Sequence, residues 1–88
     1  MKPSVEQFEG VKNQFVIRTE KGRYFQSYNS MIVFIPNDNT PIQLDKKYYD
    51  YSVTTSKYRN KFLNCTSKEI EKGIKFGTYI LTDLNTNN

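Results

Sequence analysis

Enzymatic chemistry needs nucleophiles, bases, metal ligands or phosphate cradles, and this chain is poor in all four. It contains no His. That removes the commonest general base and metal ligand, and with them every Ser–His and Cys–His pair. The single Cys, Cys65, has no neighbouring group of a type that lowers a thiol pKa, and it reads as a small, partly buried residue. One Cys with scattered carboxylates does not make a zinc site. Glu69 and Glu71 diverge on a predicted helix, and Glu6 and Glu9 read as solvated surface. None of Gly10, Gly22, Gly73 and Gly77 forms a phosphate-cradling loop, and no Ser-x-x-Lys is present. The sequence therefore predicts no catalytic residue, no metal and no cofactor. It predicts a protein that works by binding.

The binding chemistry concentrates in one stretch. Between Lys46 and Phe62 the bases are Lys46, Lys47, Lys57, Arg59 and Lys61, against the single acid Asp50. Elsewhere bases and acids cancel, so this stretch holds the whole net charge of +4. It also holds Tyr48, Tyr49, Tyr51 and Tyr58. Ammonium and guanidinium groups neutralise phosphates, and aromatic faces stack on exposed bases. Ser52, Thr54, Thr55 and Ser56 add hydroxyls that can bond phosphate oxygens. The predicted contact residues are Lys46, Lys47, Tyr48, Tyr49, Tyr51, Lys57, Arg59 and Lys61. A structural reading stands beside this one. Tyr58 lies at helical spacing from Phe62 and reads first as core, and Tyr48, Tyr49 and Tyr51 can pack a sheet against helices with their hydroxyls at the rim. Dedicated nucleic-acid domains carry a stronger patch, often with a pI above about 9 and more Arg; here the pI is 9.2 and only three of the 13 bases are Arg.

The elements that must position this stretch follow from period and turn chemistry. Residues 1–11 are weakly patterned and read as loose or as a short helical turn. Alternation predicts a strand over 13–19, a three-residue Glu20-Lys21-Gly22 hairpin loop, and a returning strand over 23–28. Asn29-Ser30 reads as a tight turn or bulge. The unbroken apolar run Met31–Ile35 suggests burial on both faces. Residues 36–41 are dense in turn formers, and Ile42-Gln43-Leu44 is a short fourth strand. The period then changes. Thr54 or Thr55 is placed as the cap of a helix over about 56–63, with Tyr58 and Phe62 inward and Lys57, Asn60, Lys61 and Asn64 outward. Thr66-Ser67-Lys68-Glu69 is a capping box for a second helix, with Ile70 and Ile74 inward. Gly77 is its predicted stop, Gly73 an earlier alternative. Residues 78–82 alternate again as a possible return to the sheet, and 85–88 read as a frayed tail. The fold class is α+β: a small antiparallel sheet of three to five strands from an N-terminal meander, with two short helices packed on it and a final strand.

The length of 88 residues bounds the chain to one domain with one modest core. No Trp is present, so the six Phe and seven Tyr must supply the large apolar groups of that core. No apolar run approaches a membrane span, no signal peptide is visible behind Met1, and one Cys rules out an internal disulfide framework. No membrane partner is expected.

Several stretches resemble a family of small uncharacterised proteins from phages, prophages and plasmids. They are Tyr24-Phe25-Gln26-Ser27-Tyr28, Tyr49-Asp50-Tyr51-Ser52, the run from Thr54 to Leu63, Thr66-Ser67-Lys68-Glu69-Ile70, and Gly77 with Leu81-Thr82-Asp83-Leu84. The run from Thr54 to Leu63 is the most specific. Family members often carry Trp where Tyr49 stands and Gly where Asn29 stands. The resemblance implies a genetic setting and no reaction, so no catalytic residue is carried over. It implies a stoichiometric accessory protein in the bacterial host cytoplasm, binding a host protein or nucleoprotein, for example as an anti-defence or anti-CRISPR-like inhibitor. The alternative is direct nucleic-acid binding through 46–62. The basic balance argues against mimicry of DNA. The sequence leaves the oligomeric state open, although a short exposed edge strand can pair two copies.

Overall fold

The computed structural model describes residues 3–86. It contains strands β1 (Ser4–Gln7), β2 (Gln14–Thr19), β3 (Gly22–Ser27), β4 (Ser30–Pro36) and β5 (Ile42–Asp45), helices α1 (Val53–Leu63) and α2 (Ser67–Phe76), and a last strand, β6 (Tyr79–Thr82). The six strands form one sheet in sequence order. The first five run as an antiparallel meander. β6 then lies parallel to β5, an arrangement that needs a long crossover such as the two helices provide. The α+β class stands, with six strands in the sheet.

The register creates two rows of side chains on opposite faces of the sheet, because successive residues of a strand alternate. One row is Glu6, Val16, Phe25, Val33, Leu44 and Leu81; the other is Val5, Ile17, Tyr24, Phe34, Gln43 and Ile80. Among the described residues only the first is covered, and only in its middle, since Glu6 and Leu81 at its ends are exposed. Phe25, Val33 and Leu44 form the buried core with Ile32 and with Ile70 of α2, and Phe8, Tyr58, Phe62 and Ile74 close over them. The rings of Phe8, Phe25 and Phe62 stand 5.5–5.7 Å apart. On the other face Tyr24 stacks on Phe34 at 4.5 Å, and neither belongs to the core cluster.

Several expectations are corrected. Residues 4–7, read as loose or helical, are an edge strand, followed by a 3-10 turn at 8–10; residues 1 and 2 lie outside the described part. The first hairpin has a two-residue loop, Glu20–Lys21, because Thr19 and Gly22 already pair. Thr19 Oγ1 accepts the Lys21 and Gly22 N–H groups. Gly22 is needed for close approach, since a Cβ there falls 2.2 Å from the Ile35 carbonyl oxygen. The next turn is Tyr28–Asn29, with Tyr28 left-handed at φ 55°. The register slips between Phe25 and Gln26, and the bulge turns both Ile32 and Val33 to the core. Met31 and Phe34 remain half-exposed, so β4 is not buried on both faces.

The helices keep their predicted inward residues but not all of their limits. α1 begins at Val53, capped by Ser52, whose Oγ accepts the Thr55 N–H at 3.1 Å. Thr54 and Thr55 therefore lie inside the helix. The capping box of α2 forms as predicted, Thr66 Oγ1 accepting from the Glu69 N–H and Glu69 Oε1 from the Thr66 N–H. Gly77 ends α2 at φ 85°. Gly73 sits mid-helix under the Tyr79 ring, where a Cβ would come within 2.2 Å of ring carbon. Asn85, expected to fray, bonds both backbone groups of Met31 through its amide. It takes the place of a strand partner beside β4, where the ladder to β5 has ended. Residues 87 and 88 lie outside the described part.

Candidate functional site

The eight predicted contact residues lie on the β5–α1 connection and on α1, and one buried carboxylate shapes that connection. Asp45 is 1% exposed. Its Oδ2 accepts the N–H groups of Lys47 and Tyr48 at 3.1 and 2.8 Å, and its Oδ1 that of Leu84 at 2.8 Å. The backbone continues the turn, Tyr49 N–H donating to the Asp45 carbonyl and Tyr51 N–H to that of Tyr48. Asp45 thus joins the end of β5, the tyrosine-rich loop and the exit from β6. Sequence reasoning missed it; the available signal was an Asp placed directly after a strand and before two polar residues, which is Asx-turn chemistry.

Two predicted contact residues turn inward. Arg59 is 1% exposed, and this corrects its reading as a surface contact. Its Nη1 donates to the Tyr49 carbonyl at 2.6 Å and to Asp50 Oδ1 at 3.4 Å. Nη2 donates to Asn60 Oδ1 and Ser67 Oγ, and Nε to Asn60 Oδ1. The planar fork of guanidinium donors suits this task of tying the loop, α1 and the start of α2 together. Tyr49 packs against the core with its hydroxyl donating to Glu71 Oε2 at 3.3 Å. Burial, then the charge and hydrogen bond of Glu71, push its pKa above the ordinary tyrosine value.

The other six reach the surface, and three of the four lysines stand beside tyrosine rings. Lys47 Nζ lies 5.3 Å from the Tyr48 ring centre. Lys57 and Lys61 lie 5.3 and 5.5 Å from that of Tyr58, within cation–π range. Lys46 and Lys47 border a groove with Asp83 and Thr86. The Thr86 hydroxyl, then the Asn85 and Thr86 N–H groups, bond the Asp83 carboxylate and bring its pKa down to about 2. Tyr48 is half-buried against the core and meets Tyr51 edge-on at 5.4 Å. Tyr51 is 70% exposed.

Between these tyrosines and the β3–β4 turn is a recess of about 110 Å³, lined by Ser27, Tyr28, Ser30, Ile32, Tyr48, Tyr51, Ser52 and Thr55. Its floor is fixed. Ser27 and Thr55 are buried and their hydroxyl oxygens are 3.0 Å apart. Its mouth is aromatic, formed by Tyr28, Tyr48 and Tyr51. An apolar cavity of ~150 Å³ holds a benzene ring, so this smaller recess suits a branched aliphatic side chain. Tyr28 was not among the predicted contacts. Only the turn brings it to this place, and its place in the sequence pattern reads as strand.

Among the described residues, no three His, Cys, Asp or Glu side chains stand together, and no helix is long and apolar enough to cross a membrane. Cys65 is half-buried and receives the Tyr79 hydroxyl at 3.8 Å. Burial, followed by this bond, pushes the Tyr79 pKa up to about 12.

No curated protein and no solved structure matches the chain. The sequence profile of a family of unknown function, DUF8033, matches residues 2–78, and the chain belongs to that family.

Proposed function

We propose that the chain is a non-enzymatic accessory protein of a mobile element that acts by stoichiometric binding of a host protein or nucleoprotein, as an anti-defence inhibitor does. The observation that carries this reading is the tyrosine-mouthed recess with lysines nearby. Rigid amphipathic tyrosines around a pocket are typical of protein-binding hot spots, because they bury large areas at little cost in rotamer entropy. Lys47 beside Tyr48 supplies the polar rim that such pockets need. An apolar partner side chain fills the recess, and acidic groups of the partner meet the lysines. The test is co-purification from nuclease-treated host lysate. One host protein is retained at one-to-one stoichiometry by the wild-type chain and released by Tyr51→Ala with Tyr28→Ala. Retention unaffected by that pair of substitutions counts against the recess.

Direct nucleic-acid binding is the second reading, favoured by the exposed ring of Tyr51 and by Lys46, Lys47, Lys57 and Lys61. It is weakened by the inward turn of Arg59 and by the packing of Tyr48, Tyr49 and Tyr58 on the core. If four lysines neutralise duplex phosphates, log K falls against log salt with a slope of about −3 to −4. A flat salt dependence, or Lys57→Glu with Lys61→Glu leaving affinity unchanged, removes this reading.

A further inference from the structure

Among the described residues no helix or strand covers the central row of the sheet face opposite the helices, and its chemistry points to one occupant. Its central row, Val5, Ile17, Tyr24, Phe34, Gln43 and Ile80, crosses all six strands without a charged side chain. Phe15 lies beside it on the same face. Val5 and Ile80, at the two ends, are 63% and 45% exposed. Asp45, whose alternation also assigns it to this face, is buried and bonded to three backbone N–H groups. A contiguous apolar face of this extent marks an interaction surface. It offers nothing to phosphates or to anionic lipid.

We propose that this face pairs with the same face of a second copy, giving a two-fold symmetric dimer. Three observations support the second copy over another partner. The central row is uncharged and therefore compatible with a copy of itself, as an isologous contact requires, and the charged residues beside it, Glu20, Lys21 and Asp38, rim its Phe34 and Gln43 end with both signs. The charge that ordinarily keeps a basic chain from associating with itself lies largely elsewhere: Lys57 and Lys61 stand on α1, which packs over the opposite face of the sheet. Back-to-back pairing keeps those lysines apart. The area also fits. Six strands ~4.8 Å apart and about five residues long give a face of roughly 450 Å² in projection. Two copies together cover roughly 900 Å² before side-chain relief is counted, at the lower margin of about 1,000 Å² for a specific interface. The dimer is accordingly reversible. Twisted sheets of this kind pack with their strands about 30° apart.

Sedimentation of the full chain from micromolar to millimolar concentration tests this. The expected mass rises from 10.4 kDa toward twice that value. Val5→Lys with Ile80→Lys weakens the dimer at least about tenfold, because it places ammonium groups on a dry face. Both positions are exposed, so circular dichroism should stay unchanged. Gln43→Lys, in the middle of the row, is the second variant and acts in the same direction. A chain that is monomeric at millimolar concentration overturns the proposal, as does a dimer that survives both variants or is lost on Lys57→Glu with Lys61→Glu. Host-protein capture lost in Val5→Lys with Ile80→Lys, from a chain that sediments as a monomer, assigns the face to another protein and overturns it too. Tyr51→Ala leaves the dimer intact, so failure of this inference and failure of the recess are separate results.

Discussion

The two rows of the sheet are one residue apart on every strand, and both are largely apolar, yet they meet different fates. Val16, Phe25, Val33 and Leu44 are at most 5% exposed. Their neighbours on the opposite face, Ile17, Tyr24 and Phe34, remain half-exposed, and Val5 and Ile80 more so. Strand alternation does not decide which row becomes core; the helices do. α1 and α2 bring Tyr58, Phe62, Ile70 and Ile74 to the first row. No described element covers the second. Aromatic content is therefore no guide to burial in this fold. Coverage by the crossover is.

The most direct way to break this comparison is to truncate one ring on each face. Phe25→Ala should cost about 3–5 kcal/mol, the range for a large buried aromatic. Phe34→Ala should cost about half of that or less, since its cavity opens to solvent while the loss of the Tyr24 stack contributes only about 1 kcal/mol. Urea denaturation at low micromolar protein, where a weak dimer has dissociated, measures both. Equal costs would mean that the open face is as closely packed as the covered one. Repeating the measurement at high concentration sharpens the contrast, because pairing through the open face stabilises the wild type by mass action and Phe34→Ala loses that gain.

The cover itself is pinned by polar and steric contacts, which set the next two effects. Arg59→Ala removes a buried guanidinium bonded to the loop, to Asn60 and to Ser67, and should cost about 1–3 kcal/mol by leaving part-buried acceptors unpaired. Lys57→Ala, two residues away and exposed, should stay within about 0.5 kcal/mol. Similar losses for the two would show that Arg59 is no more structural than its neighbour. Gly73→Ala forces a methyl group against the Tyr79 ring and should cost about 1–3 kcal/mol through overpacking of α2 on β6. Thermal unfolding ranks all three, and a neutral Gly73→Ala would mean that the ring moves aside freely.

What the sequence made legible was local. The capping box at Thr66, the Gly77 stop and the alternation of β2 and β3 depend on residues a few positions apart, and all are found where they were expected. β1 was illegible because Ser4–Gln7 is wholly exposed and is held by backbone pairing with β2, which leaves no apolar signature. The inward turn of Arg59 was hidden for a different reason. It lies between Lys57 and Lys61 in the same charged run, and most of its partners come from Tyr49 and Asp50 before it and Ser67 after it, a set that only the fold assembles. α1 consequently buries Thr55 and Arg59 rather than an apolar stripe, so its inner face was only half-visible through Tyr58 and Phe62. The recess needed Tyr28, which a turn of unexpected position delivers. The tyrosines and lysines of the loop were identified from composition, but which of them face outward depends on Asp45, a residue that carries no motif.

The smallest effect concerns the corner where the chain end meets the sheet beside Met31. Asp83 Oδ1 accepts the Asn85 and Thr86 N–H groups, and Asn85 in turn holds both backbone groups of Met31. The Asp83 pKa is lowered to about 2, below the ordinary value near 4 of a free Asp. Its contribution is thus complete above pH ~4 and is lost as pH falls through about 2, because the unfolded carboxylate takes up its proton first. The group is exposed, so global stability should barely respond. The local readout is the Met31 amide resonance, expected to titrate with a midpoint near 2 in the wild type and to stay flat in Asp83→Asn. A midpoint near the free-Asp value would mean that the turn does not hold the carboxylate, and that Asn85 finds Met31 without its help.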